Sequence, residues 1–113
     1  MKTISKNIEN LIEIKNSKFI AIVIKINSND IDSYIKQVMD KYPKATHYCY
    51  AYIFNDLKKC SDDGEPGGTA GMPILNVLEK ESLNNILVVV VRYFGGIKLG
   101  AGGLVRAYTK SVT

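Results

Sequence analysis

The chain is poor in the residues that build metal centres and disulfide frameworks. Its 113 residues include two cysteines, Cys49 and Cys60, and one histidine, His47. No CxxC pair occurs, so a structural zinc site within the chain lacks its ligands. Two cysteines do not make the framework of a small secreted domain, and a reducing cytosol is the simpler setting. The longest apolar run ends at Arg92 and is far too short to span a bilayer. Met1-Lys2-Thr3-Ile4-Ser5-Lys6-Asn7 lacks the apolar segment and cleavage site of a signal peptide. The expectation is a cytoplasmic protein with no membrane partner. Repeats and low-complexity tracts are also missing.

What is present is one domain's worth of chain with a 46% hydrophobic fraction, enough for a core without metal or disulfide. The formal net charge of +4 fits RNA or an acidic protein face without selecting either. Leu11–Ile14 and Phe19–Ile26 read as strands joined by a turn at Lys15–Lys18, with β-branched residues favouring the extended state. Asn29 or Asp30 caps a helix running to about Tyr42, where Ile31, Tyr34, Ile35, Val38 and Tyr42 form an apolar stripe. Pro43 ends it.

Ala45–Phe54 alternates as a strand. Ala45, His47, Cys49, Ala51 and Ile53 share one face; Thr46, Tyr48, Tyr50, Tyr52 and Phe54 share the other. The aromatic row is either a base-stacking surface or packing beneath helices. Asn55–Gly68 reads as a long polar loop. A helix is expected from Thr69 or Gly71 to Lys80, a central strand over Ile86–Tyr93, and a last helix from Gly100 to about Lys110. The order predicts an α+β fold, a four-stranded sheet with helices packed on one face.

Two glycine-rich corners carry the functional signal. Asp62-Asp63-Gly64-Glu65-Pro66-Gly67-Gly68 precedes one helix and Arg92-Tyr93-Phe94-Gly95-Gly96-Ile97-Lys98-Leu99-Gly100 precedes another. A helix start offers unpaired N–H groups to an anion, and glycine permits close backbone approach. If the corners adjoin, they frame one cleft with an acidic rim of Asp62, Asp63 and Glu65. The basic rim is Arg92, Lys98 and Arg106, and Gly95, Gly96 and Gly100 allow a ligand to come close. Neither GxxxxGK[ST] nor GxGxxG is present, so an ATP or dinucleotide site is not expected.

Structural roles compete with the functional ones. Gly102 and Gly103 can serve helix packing alone, the carboxylates can cap helices, and Arg92 can clamp one of them. His47 has no Ser/Asp arrangement to make it a general base and reads as a hydrogen-bonded core group. Cys49 reads as buried, and Cys60 as exposed without a base to activate it.

The chain closely resembles the N-terminal domain of the IMPACT/YigZ family over nearly its whole length. The resemblance rests on Lys15-Asn16-Ser17-Lys18-Phe19-Ile20-Ala21, Ala45–Tyr52, Asp62–Leu75, and above all Val91–Gly100 continued by Gly102–Tyr108. Tyr48 stands where the family usually has a smaller polar residue, and Gly67 replaces a customary serine. The resemblance implies the ribosomal protein S5 domain 2-like fold and a link to translation. Eukaryotic relatives bind a ribosome-associated activator of a translation-initiation kinase and associate with actin. Bacterial relatives usually carry a second, ferredoxin-like domain, which is expected to be absent from residues 1–113.

The resulting expectation is a translation-associated binding or regulatory domain contacting structured RNA or a ribosome-bound protein, with no cofactor and no metal. Charge would come from Arg92, Lys98, Arg106 and Lys110. A metal-assisted hydrolase or phosphoryl-transfer enzyme using Asp62, Asp63 and Glu65 is the enzymatic alternative. A protein-interaction module without nucleic-acid binding is the third. The residues assign no oligomeric state.

Overall fold

The computed structural model describes residues 7–113; Met1–Lys6, in the segment expected to hold no signal peptide, lie outside the described residues. The elements in order are β1 (Ile8–Ile14), β2 (Ser17–Lys25), α1 (Ile31–Lys41), β3 (His47–Phe54), β4 (Leu57–Ser61), α2 (Gly71–Lys80), β5 (Ile86–Tyr93) and α3 (Gly100–Ser111). The strands form one sheet in the order β1-β2-β5-β3-β4. Every neighbouring pair is antiparallel.

The sheet has five strands rather than the expected four. Part of the predicted polar loop folds back as β4, pairing Phe54 with Leu57 and Tyr50 with Ser61. Asn55 and Asp56 make the two-residue turn, both with positive φ (48° and 66°). That is the backbone of a tight hairpin whose twist matches the strands it joins. Lys15 and Asn16 turn β1 into β2 in the same way.

The helices occupy both faces of the sheet, which corrects the one-face expectation. On the first face Phe19, Ala21, Cys49, Ala51, Val88 and Val90 pack with Ile74, Leu78, Leu104 and Tyr108 from α2 and α3. On the second, Ile22, Leu87, Val89 and Val91 pack with Ile31 and Val38 of α1. Tyr48, Tyr50, Tyr52 and Phe54 are half-buried against that second core, so the aromatic row is packing beneath α1 with its edges in solvent. Asp30 caps α1 by accepting from the Ser33 N–H.

Strand β5 explains the three layers. Ile86 to Val91 are all at most 1% exposed. An apolar run without alternation must be covered on both faces. Each buried valine or leucine contributes ~1.5–3 kcal/mol before chain entropy is charged against it. β5 also carries Arg92 on the first face, two residues past Val90 and directly opposite Phe19 and His47. The strand that anchors the sheet therefore aims an arginine at the interface with α3.

Candidate functional site: a cleft between two glycine corners

The two glycine corners do meet. A cleft of about 390 Å³ lies between them, lined by Thr46, His47, Glu65, Pro66, Arg92 and Phe94 on one side. Lys98, Leu99, Gly100, Ala101 and Leu104, from the approach to α3 and its first turns, complete it. Its floor is a buried polar network. Arg92 is 5% exposed and Glu65 8%. Arg92 Nη1 donates to Glu65 Oε2 at 2.7 Å and to Oε1 at 3.0 Å, and Arg92 Nη2 donates to Ser17 Oγ at 3.3 Å. The Tyr108 hydroxyl donates to Glu65 Oε2 at 2.5 Å. His47 Nε2 lies 3.3 Å from Glu65 Oε1.

Burial of this pair requires that level of satisfaction, because desolvating two charges costs several kcal/mol each. Glu65 accepts three hydrogen bonds, two from Arg92 Nη1 and one from Tyr108, with the His47 ring beside it. Arg92 lies between two aromatic rings, with its Cζ 5.4 Å from the Phe19 centroid and 5.5 Å from that of Phe94. One group is left over: among the described residues Arg92 Nε has no hydrogen-bond partner. His47 Nδ1 sits 2.7 Å from the Asp63 carbonyl oxygen. Both ring nitrogens therefore face oxygen atoms of the first corner.

Asp62 and Asp63 do not enter the cleft lining. Asp62 accepts from the backbone N–H groups of Gly71 at 2.8 Å, Gly68 at 2.9 Å and Ala70 at 3.1 Å. Burial pushes its pKa up, and the three N–H bonds outweigh burial and bring it below the ordinary value. Its carboxylate fills the anion position at the start of α2. Asp63 Oδ2 accepts from the Tyr48 N–H at 2.7 Å. The three carboxylates thus serve three separate structural ends. Among the described residues no three His, Cys, Asp or Glu side chains are grouped to hold a metal ion.

The second corner is arranged differently. Lys98 and Gly100 line the cleft, whereas Arg106 borders a separate hollow with Lys15 and Lys110. Gly95 makes a close backbone approach to the chain itself: a Cβ there would stand 2.0 Å from the Asn16 carbonyl oxygen, and its N–H donates to Ser17 Oγ. Gly96, with φ of 89°, lies outside the cleft lining. Arg92, expected to face outward, is turned in as the clamp on Glu65 because its position on β5 belongs to the first core face. His47 and Tyr108, neither of them among the expected site residues, complete the Glu65 network. The signal was present in the strand alternation, which put His47 on the same face as Cys49.

Cys49 is buried beside this network, with Sγ 3.1 Å from the Asp62 carbonyl oxygen and 3.3 Å from the Tyr108 hydroxyl. Burial pushes its thiol up to about 12. The Tyr108 hydroxyl is pushed far upward by the same cause. Neither group is a nucleophile at neutral pH. No helix among the described residues is long and apolar enough to cross a membrane.

These features define a three-layer domain with an antiparallel sheet at its centre and an open cleft over a neutralised arginine–glutamate floor. A family profile described as the Impact N-terminal domain matches residues 15–113. The chain belongs to that family. The IMPACT family member YvyE of Bacillus subtilis is 44% identical over 98% of this chain and 53% of its own length. YigZ of Escherichia coli is 42% identical over 85% of the chain and 50% of its own length. Human Protein IMPACT is 42% identical over 53% of the chain and 20% of its own length. The chain thus spans about half the length of the bacterial relatives.

Among solved structures, one described as a hypothetical protein superposes with a TM-score of 0.89 at 37% identity, covering 96% of this chain and 55% of that one. A structure titled as the two-domain translational regulator Yih1 superposes at 0.51 with 22% identity, covering 96% and 44%, and supports the fold alone.

Proposed function

We propose that this chain is a translation-associated binding domain that contacts structured RNA in the cytoplasm, rather than an enzyme. One observation carries the reading: Lys98 and the first turn of α3 border the same cleft and no chain carboxylate occupies them. Lys98 makes no ion pair among the described residues. Among the described residues no side chain caps α3, and its first turn holds no acidic residue. A helix start and a cation facing one hollow favour an anionic ligand. The overall charge of +4 and the neighbouring hollow bearing Lys15, Arg106 and Lys110 extend the positive surface along which an RNA backbone would run.

The link to translation rests on family membership. The S5 domain 2-like assignment is compatible with the sheet and helices. A second, ferredoxin-like domain in the longer relatives would act together with this one.

The test is binding of an RNA hairpin across a salt series. Two or three phosphate contacts predict about a tenfold or greater loss of affinity between about 50 and 200 mM salt. Lys98→Glu should weaken binding while Lys98→Arg keeps it. Affinity that ignores both salt and Lys98→Glu overturns the reading.

A second reading, a ribosome-bound protein as partner, is favoured by Phe94 and Ile97. These large apolar side chains are 46% and 45% exposed on the corner beside the cleft. It predicts a captured partner lost in Ile97→Asp, with RNA affinity unchanged in that variant.

A further inference from the structure

We infer that the cleft takes one nucleotide through its phosphate monoester: a free nucleoside monophosphate, or the 5′-phosphorylated end of an RNA. The inference rests on the RNA-binding reading and names the ligand chemistry of the same site.

The two glycine corners supply the first argument. Both place a helix start beside a glycine turn. At α2 the chain fills the anion position itself, with Asp62 accepting from Gly68, Ala70 and Gly71. At α3 the corresponding position opens into the cleft, with Lys98 beside it in place of a carboxylate. Asp62 shows what such a corner holds in this fold: a compact oxyanion. One helix start and one lysine suit a single phosphate, which agrees with the lack of a loop built to cradle two or three.

The second argument is Arg92. It lies beneath the same cleft, 95% buried, and its Nε–H meets no acceptor among the described residues. A buried donor left without a partner is costly in a native structure and calls for one. The Phe94 ring lies over the guanidinium, and Phe94 is half-exposed just before Gly95-Gly96. A ligand displacing that ring brings an oxyanion to the arginine and gains an aromatic face. Bases stack on such faces without regard to sequence. A cleft of about 390 Å³ falls at the small end of the range that encloses compact ligands, as a single nucleotide requires.

The test uses two matched pairs with the folded domain: AMP against adenosine, and a 5′-phosphorylated against a 5′-hydroxyl octaribonucleotide of one sequence. Affinities are measured by calorimetry, and the amide resonances of Gly100 to Gly103 are followed by NMR. The phosphate-bearing member of at least one pair should bind about tenfold more tightly, as charge-assisted bonds at a helix start predict, and should shift those amides. Ala101→Asp places a carboxylate in the exposed first turn of α3 and should abolish the preference, as should Lys98→Glu. Unchanged thermal midpoints establish that both variants fold. A preference in neither pair, or one that survives Ala101→Asp, overturns the inference. RNA bound equally with either end and in a salt-dependent way leaves the RNA reading standing and this inference refuted. AMP preferred over adenosine with no RNA bound does the reverse.

Discussion

Arg92 Nη1 lies 2.7 Å from Glu65 Oε2, so the end of the central strand is tied to the first glycine corner by an ion pair in which both side chains are almost fully buried. The pair sets the position of both cleft walls. Its removal from one side leaves an uncompensated charge in a site shut off from water. Glu65→Ala should therefore cost about 3–5 kcal/mol, read as a fall in the urea midpoint. Pairing it with Arg92→Met removes the stranded cation, and the double variant should be more stable than Glu65→Ala alone. A double variant less stable than the single would show that the guanidinium contributes through Ser17 and the aromatic rings more than through Glu65.

Asp62 makes the acid stability of the domain depend on one cap. Its folded-state pKa is below the ordinary aspartate value because three backbone donors outweigh burial. The stabilisation is therefore complete above the unfolded value, near 4, and is lost as pH falls through the lower folded value. Asp62→Asn should cost about 2 kcal/mol at neutral pH, in the range of a lost helix cap and its charge-assisted bonds. The gap between wild type and variant should narrow below about pH 4, where the native carboxylate also becomes neutral. Denaturant midpoints across a pH series measure it. A gap that stays constant to pH 2 would remove Asp62 as the titrating cap.

Much of this was written in the side-chain periodicity. The alternation of β3 put His47 and Cys49 on one face and the tyrosines on the other, as found. A turn within Lys15–Lys18, a cap at Asn29 or Asp30 and a helix from near Gly100 were legible from local chemistry alone; the fold narrows the turn to Lys15-Asn16 and the cap to Asp30. β4 was not, because Leu57-Lys58-Lys59-Cys60-Ser61 contains no β-branched residue and no clear alternation. Asn55-Asp56 was the available signal, a pair that tolerates the left-handed backbone of a hairpin. The second helical layer was implied by β5 itself: Val89 and Val91 are as apolar as Val88 and Val90, so neither face was free to meet water. Parity along β5 also puts Arg92 with Val88 and Val90, on the side of α3. Its choice of Glu65 over Asp62 or Asp63 depends on how the first corner folds, a contact 27 residues apart that no local rule reaches.

The two thiols should separate cleanly by reactivity. Cys49 is fully buried and its pKa is pushed up to about 12, whereas Cys60 is half-buried, its thiol also raised by burial. Alkylation by iodoacetamide at pH 8 should modify Cys60 slowly and leave Cys49 untouched until the domain unfolds. Peptide mass spectrometry with and without urea reads the difference. Native-state modification of Cys49 at the rate of Cys60 would mean that the first core opens locally around Tyr108.

Neighbouring glycines in the second corner should respond to substitution in opposite order to their backbone angles. Gly96 has φ of 89°, yet a Cβ built there meets nothing within 4 Å. Gly96→Ala faces only the left-handed penalty, about 1–2 kcal/mol. Gly95 has no positive φ, but its Cβ would stand 2.0 Å from the Asn16 carbonyl oxygen, a backbone atom that cannot rotate away. Gly95→Ala must push β5's end off the β1–β2 turn and lose the N–H bond to Ser17 Oγ, which also steadies Arg92. The cost should reach about 3 kcal/mol, at the upper end of overpacking. Thermal or urea midpoints of the two variants decide the order. A milder effect at Gly95 than at Gly96 would show that the β1–β2 turn yields, and that the Arg92 floor does not depend on where the turn sits.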